Sequence, residues 1–307
     1  NINLIWKVFS ENYHVFRGTP SAMWLDYSFE KVFGLSKPLS SFNSDYYFDA
    51  IQKKLSQKEF LPRSLFDKFN IEVLATTDSA ISELEHHQSL KYCSWDARII
   101  PTYRPDGIIN PEVNEFNSNL VSLGELTGED TASWKGYIKA HQSRRLFFKE
   151  MGATATDHGH PSARTENLSQ AEAELLFSII LSGKFTPKQA EMFRGQMLTE
   201  MAKMSCEDGL VMQIHPGARR NHSEKVFNQF GSDKGFDIPG PTDYVSALKP
   251  LLDVVGLRAD LTIILFTLDE TSYSRELAPL AGVYPALKLG PPWWFFDSYE
   301  GMKRFRE

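Results

Sequence analysis

From Ile71 onward the chain repeats one phrase: a short apolar run, a cluster of polar residues at its end, then a stretch of helical periodicity. The runs are 71–78, 97–104, 152–158, 210–215, 261–269 and 286–290, with helical patterns at about 80–90, 115–150, 170–207, 242–256 and 272–281. Parallel neighbours need crossover connections, so strand and helix alternating in this way predict a parallel sheet. Each run ends on or near polar or reactive residues: Thr77-Asp78, Arg104-Pro-Asp106, Asp157-His158-Gly-His160, His215, Asp269-Glu270 and Trp293-Trp294. A β/α barrel brings all its strand ends to one mouth. A doubly wound sheet instead concentrates function at one switch point and usually carries a glycine-rich phosphate turn, and the chain contains no GxGxxG or GxxxxGK[ST]. The expected fold is therefore a TIM-type β/α barrel over 71–307, with about six of the standard eight strands present.

Residues 1–70 follow another rule. Trp6, Phe9, Phe16, Trp24, Phe29 and Phe33, then Tyr47, Phe48, Phe60, Phe66 and Phe69, recur at helical spacing between breakers at Gly18-Thr-Pro20, Gly34 and Pro38. Several short packed helices are expected, with the aromatics as their core. The chain has 307 residues and a formal net charge of -6, which gives no global basic field for nucleic acid. Cys93 and Cys206 make neither a disulfide framework nor a CxxC metal pair, and a reducing compartment fits. No apolar run approaches the roughly 18 residues that span a bilayer. Asn1 to Trp6 lacks an initiator Met and a signal-peptide pattern, and Tyr299 to Glu307 ends in a charged amphipathic stretch without a helix stop. Both ends are expected to be cut from a longer chain.

The segment Gln213 to Asn221, Q-I-H-P-G-A-R-R-N, carries the densest chemistry. His215 closes an apolar strand and Pro216-Gly217 turns the backbone sharply. Arg219 and Arg220 follow, and two adjacent arginines are not both buried cheaply, so at least one faces solvent or an anion. A planar guanidinium suits a carboxylate through paired hydrogen bonds. Pro105 holds Arg104 extended at the rim, where it either binds a substrate anion or pairs with Asp106. In Asp157-His158-Gly159-His160 the HxH spacing puts both imidazoles on one face, as a metal site needs, but further carboxylate or His ligands are not supplied by the spacing. Asp157 could equally orient His158. Glu85-His86-His87 lies in a helical pattern, where adjacent histidines diverge by roughly 100°, so solvent exposure or surface capping is the expectation. Trp293-Trp294 after Gly290-Pro-Pro suits either a core or the face of a sugar ring.

Taken together, Y-R-P-D (103–106), T-D-H-G-H (156–160), Q-I-H-P-G-A-R-R-N (213–221) and W-W-F-F-D (293–297) resemble the uronate (glucuronate) isomerases, with L-A-T-T-D (74–78) and L-E-H-H (84–87) agreeing in order and spacing. The resemblance implies an amidohydrolase-type barrel with a helical subdomain between its first and second strands. It also implies interconversion of D-glucuronate with D-fructuronate and of D-galacturonate with D-tagaturonate in the cytoplasm, without nicotinamide. His215 and Arg220 match the family's active-site pair. Arg104, His158, Asn221, Trp293 and Trp294 are the expected substrate contacts, His158 with the less defined role. Zinc or another divalent metal is implied, but the family's main ligands, an HxH on the first strand and an Asp on the last, would lie before Asn1 and beyond Glu307. His215 is left as an auxiliary ligand only. A homo-oligomer is open on this reading. The competing expectations are an inactive fragment or sugar-acid-binding relic of the fold, and a metal-dependent hydrolase on the same barrel.

Overall fold

The computed structural model describes residues 1–306. Glu307, the expected end of the barrel region, lies outside the described residues. Backbone contacts divide the chain into two compact units, one of residues 1–72 with the segment from Phe296, the other Val73–Phe295. The expected cut after residue 70 at the front has a counterpart at the back, where the last helix, Tyr299–Arg306, clusters with the first unit.

The first unit contains α1 (Ile2–Glu11), α2 (Pro20–Tyr27), α3 (Ser44–Leu55) and α4 (Pro62–Lys68). Thr19 caps α2 by accepting from the Ala22 N–H, and Pro20 at the first helical position loses no hydrogen bond there. Tyr13, Phe29, Leu35, Leu39 and Tyr47 form its buried centre. The rings meet edge to face, Phe29 on Tyr47 at 5.2 Å and 89°. Polar tips find partners: the Trp6 indole donates to the Ser44 carbonyl at 2.8 Å, and the Tyr47 hydroxyl donates to the carbonyls of Leu35 and Lys37. Not every aromatic is core, for Trp24, Tyr46 and Phe42 are exposed.

The second unit runs β1 (Val73–Ser79), α5 (Glu85–Lys91), β2 (Arg98–Arg104), α6 (Asp106–Ile109), α7 (Phe116–Thr127), α8 (Trp134–Glu150) and β3 (Ala155–His158). It continues through α9 (Gln170–Leu181), α10 (Pro187–Asp208), β4 (Val211–Ile214), β5 (Ala218–Arg219), α11 (Glu224–Phe230), β6 (Ile238–Pro239), α12 (Val245–Val255), β7 (Ile263–Leu265) and β8 (Leu287–Leu289). Six strands pair in parallel in the order β1-β2-β3-β4-β7-β8, one for each apolar run in the sequence. Each new strand joins beside the last, with no reversal of order. That is the winding of a β/α barrel and not of a doubly wound sheet. The antiparallel pair β5–β6 is an addition the sequence pattern did not announce.

Side chains alternate along each strand, and the register extends that alternation across the sheet. Tyr103 pairs with Thr156, and Asp157 pairs with Gln213. One face therefore collects Tyr103, Thr156, His158, Met212 and Ile214, all buried. Tyr103 packs edge-on against Phe148 of α8 at 5.1 Å and its hydroxyl bonds His141 Nδ1 at 2.8 Å, so this face is the one that meets the helices. Behind it, the Arg145 guanidinium of α8 forms a forked pair with the Asp208 carboxylate at the end of α10, at 2.5 and 3.0 Å, and donates to Ser205 Oγ at 2.8 Å. The other face collects Arg104, Asp157 and His215.

Candidate functional site

His215 follows β4 directly, and its N–H continues the ladder by donating to the His158 carbonyl at 3.1 Å. Pro216 and Gly217 then turn the chain. Gly217 has φ +98°, and a Cβ there would stand 2.5 Å from Thr242 Oγ1, so both conformation and space demand glycine. The turn delivers the antiparallel β5–β6 pair beside the strand end. Asn221 sits in the left-handed region at φ 54°, its N–H donating to Asp237 and its side-chain oxygen accepting from the Asp233 N–H.

The centre of the arrangement is Asp157. Its carboxylate lies 2.6 Å from His215 Nε2 and 3.4 Å from the Arg104 Nη1 atom. Three neighbouring strands each contribute one side chain from the same face: Arg104 from β2, Asp157 from β3 and His215 just past β4. The option that Asp157 orients His158 is not what the structure adopts. Adjacent residues on a strand point to opposite faces, and His158 Nε2 instead meets Thr156 Oγ1 at 3.0 Å, two residues back on its own face. Of the two roles open to Arg104, pairing with Asp106 is realised, its Nε donating to that carboxylate at 2.9 Å. Burial works against the Arg104 charge, but Asp106, followed by Asp157, holds the guanidinium protonated above its ordinary range.

A cleft of about 730 Å³ opens over this row, lined by Gly159, His160, His215, Arg220, Asn221 and Trp293, with Asn110 and His222 at its margin. Trp293 stands edge to face against the His215 ring at 4.8 Å, and Trp294 leans on Trp293 at 5.4 Å. The Arg220 guanidinium lies 5.1 Å from the Trp294 ring and 3.6 Å from the Asp233 carboxylate, and its side chain is 44% exposed. Thus His215, Arg220, Asn221 and Trp293 share one cleft, and Arg104 lies against Gly159, one of the lining residues, without lining the cleft itself. His158 does not line it. As a helix-face residue it is completely buried, and burial first, then the charges of His160 and Arg145, push its pKa well below the ordinary value.

Gly159 is the pivot between these groups. A Cβ on it would lie 2.5 Å from Arg104 Nη2 and 2.9 Å from both Asp106 Oδ2 and His215 Cε1. Sequence reasoning missed His160 as a lining residue and Asp157 as the partner of His215. The period-two alternation carried the signal for Asp157, once β3 was set beside β4. His87, expected at the surface, has a side chain only 9% exposed and meets Thr76 Oγ1 at 2.9 Å, whereas His86 is exposed as anticipated.

Among the described residues, Asp106, His158 and His160 offer ligand atoms that all lie within 4.8 Å of one another. His215 stands outside that group, its Nε2 engaged by Asp157.

A family model described as glucuronate isomerase matches residues 4–306. The uronate isomerase of Mesorhizobium japonicum is 58% identical over 303 residues, which are 99% of this chain and 65% of that protein. That of Rhizobium meliloti is 57% identical, over 99% of this chain and 65% of its own length. The crystal structure of glucuronate isomerase from Caulobacter crescentus superposes with a TM-score of 0.97 at 53% identity, covering 100% of this chain and 64% of that one. A uronate isomerase from Thermotoga maritima gives a TM-score of 0.92 at 28% identity, over 99% and 66%. The chain spans just under two thirds of the length of these relatives. It belongs to the glucuronate isomerase family.

Proposed function

We propose that the protein carrying this chain interconverts the aldose and ketose forms of hexuronates, D-glucuronate with D-fructuronate and D-galacturonate with D-tagaturonate. The observation that carries the reading is the Arg104–Asp157–His215 row opening into a cleft edged by Arg220 and Trp293, in a chain whose relatives are uronate isomerases. Arg220, half in solvent and only loosely held by Asp233, is free to reach the sugar carboxylate, which a guanidinium grips through two parallel hydrogen bonds. Trp293 and Trp294 offer apolar ring faces to the C–H edges of the sugar. Asp157 fixes the His215 imidazole with its proton on Nε2, leaving the Nδ1 lone pair, without a partner among the described residues, to take a proton.

In the open-chain sugar a base takes the C2 proton and the aldehyde oxygen gains one, giving a C1–C2 enediol; O2 then gives up its proton to become the ketone oxygen as a proton returns at C1. The sum is redox-neutral, so turnover is expected without added nicotinamide. Arg104, already neutralised by two aspartates, acts in this scheme by holding Asp157, and through it His215, in place. Among the described residues the group that could hold a metal is Asp106, His158 and His160, apart from His215, whose Nε2 is engaged by Asp157, so no step at His215 is routed through the divalent metal that the resemblance implies. Incubation with D-glucuronate, followed by detection of D-fructuronate, tests the reading. Turnover in deuterated water should place solvent deuterium in the product. Direct hydride transfer between C1 and C2 would leave the product unlabelled. Binding of glucuronate by calorimetry with no turnover would replace the isomerase reading with a sugar-acid-binding role.

A further inference from the structure

The HxH of residues 158–160 lacked a carboxylate when read in sequence; the fold supplies one. Asp106, first residue of α6 at the end of β2, is brought to the loop after β3, where the Gly159 N–H donates to its carboxylate at 3.2 Å. We propose that Asp106, His158 and His160 form a zinc site bridging the ends of these two strands. It does not depend on the isomerase reading, although His160 lines the same cleft and Asp106 pairs with Arg104.

Four observations carry it. The three ligand atoms lie within 4.8 Å of one another. Ligands about 2.0–2.2 Å from a zinc ion stand roughly 3.3–3.6 Å apart in a tetrahedron, so the set has to close by about an ångström, within reach of side-chain rotation. Among the described residues, His158 Nδ1 and His160 Nε2 are both buried with no hydrogen-bond partner, on residues at 0% and 5% exposure. Such orphaned nitrogens are uncommon because their desolvation is uncompensated, and a cation satisfies both at once. The other ring nitrogen of His158 meets Thr156 Oγ1, the outer contact that fixes a ligating tautomer, proton on Nε2 and lone pair on Nδ1. Glycine between the two histidines lets the Asp106 carboxylate approach the loop, which a Cβ 2.9 Å from Oδ2 would prevent.

The local charge admits a cation. Asp106 and Asp157 share one guanidinium, Arg104, while Arg194, which also faces His160, is engaged by Glu112 and Asn110. Two imidazoles and one carboxylate favour zinc over magnesium or calcium, which prefer all-oxygen cages. Three protein ligands leave the fourth position to water.

Chelator-treated protein titrated calorimetrically with zinc alone should take up one equivalent at this site. Cobalt in its place should give the intense visible bands of a four-coordinate ion. Asp106→Asn and His160→Asn, each checked for folding by circular dichroism, should weaken binding by about 100-fold or more, and Thr156→Val by about 10–100-fold. His86→Asn, on a side chain 90% exposed, should change nothing. X-ray absorption of the zinc-loaded wild-type chain needs no variant and should show two imidazoles with oxygen. The proposal is overturned by an absence of stoichiometric uptake, by uptake that survives both Asp106→Asn and His160→Asn, or by a coordination shell with fewer than two imidazoles.

Discussion

Tyr103 and Arg104 are neighbours in the chain and strangers in the fold. Tyr103 is fully buried among Phe148, His141 and Arg145, on the face of the sheet that meets the helices. Arg104 looks the other way, into a row of charges beneath an open cleft. The same alternation separates His158 from Asp157 and Ile214 from His215. Both faces carry ionisable groups, so charge alone does not mark the site. The helix face ties its charges to one another: Arg145 is locked to Asp208 and Ser205, and Tyr103 is tied to His141, while His141 Nε2 and His158 Nδ1 have no partner among the described residues. The cleft face differs in keeping a charge within reach of solvent: Arg220 is half exposed, beside His215 Nδ1 and Trp293 Nε1, which have no partner among the described residues. A locked, buried ion pair holds a structure together; a guanidinium half in solvent can accept a ligand.

His215→Asn should lower hexuronate turnover by about 10²–10⁴-fold, the range for losing a positioned acid–base group, with little change in the denaturant midpoint. A variant that loses stability and keeps turnover would put His215 with the helix face. The mirror experiment is Arg145→Ala. Removing one partner of a buried ion pair should cost about 3–5 kcal/mol in guanidinium unfolding, because the Asp208 carboxylate then loses its counterion. Turnover per folded molecule should be unchanged. A loss below about 1 kcal/mol would mean that the pair behaves like a surface bridge and that the helix face is not locked.

What the sequence made legible follows from how local each determinant is. The six strands are written in apolar runs rich in β-branched residues, and sequential winding follows from strands alternating with helices. His215, Arg220 and Trp293 were legible because strand-end polar residues converge in a barrel. What the sequence leaves open concerns pairings. Adjacency in the chain makes Asp157 one option for orienting His158, whereas adjacency on a strand means opposite faces. Arg145 and Asp208, 63 residues apart, carry no local signal, since their meeting depends on how α8 lies against α10. The β5–β6 pair has two residues per strand, too few for any periodicity, and rests instead on the backbone at Gly217 and Asn221.

A proton titration sharpens the same contrast more gently. Burial, then the nearby Arg145 charge, lowers the His141 pKa from 6.5 to about 3. The folded protein keeps this imidazole neutral while the unfolded chain protonates it near pH 6.5. Its contribution is therefore fully present above that pH and is lost as pH falls from about 6.5 towards 3. The slope from this single group is at most about 1.4 kcal/mol per pH unit. His141→Gln should flatten the acid limb of a stability-versus-pH curve, measured by urea unfolding between pH 4 and 7. An unchanged slope would show that His141 is protonated in the folded state and that the helix face is more open to solvent than its geometry implies.

The smallest effect tests how loosely the cleft face is held. Arg220 rests over the Trp294 ring at 5.1 Å and near Asp233 at 3.6 Å, and with the guanidinium half exposed neither contact fixes it firmly. Trp294→Leu removes the ring's negative face while keeping apolar bulk, at a cost of about 0.5–1 kcal/mol for a cation–π contact at an exposed site. If Arg220 is the group that reaches the sugar carboxylate, freeing it changes the starting ensemble and not the transition state. KM for glucuronate should then move by roughly 2–5-fold, which is that energy expressed as an affinity, with kcat nearly constant. Arg220→Lys keeps the charge but loses the fork, and should raise KM further than Trp294→Leu does. A fall in kcat for Trp294→Leu with KM unchanged would mean that the ring itself shapes the reacting sugar, and that the cleft face is more rigidly built than its half-exposed guanidinium suggests.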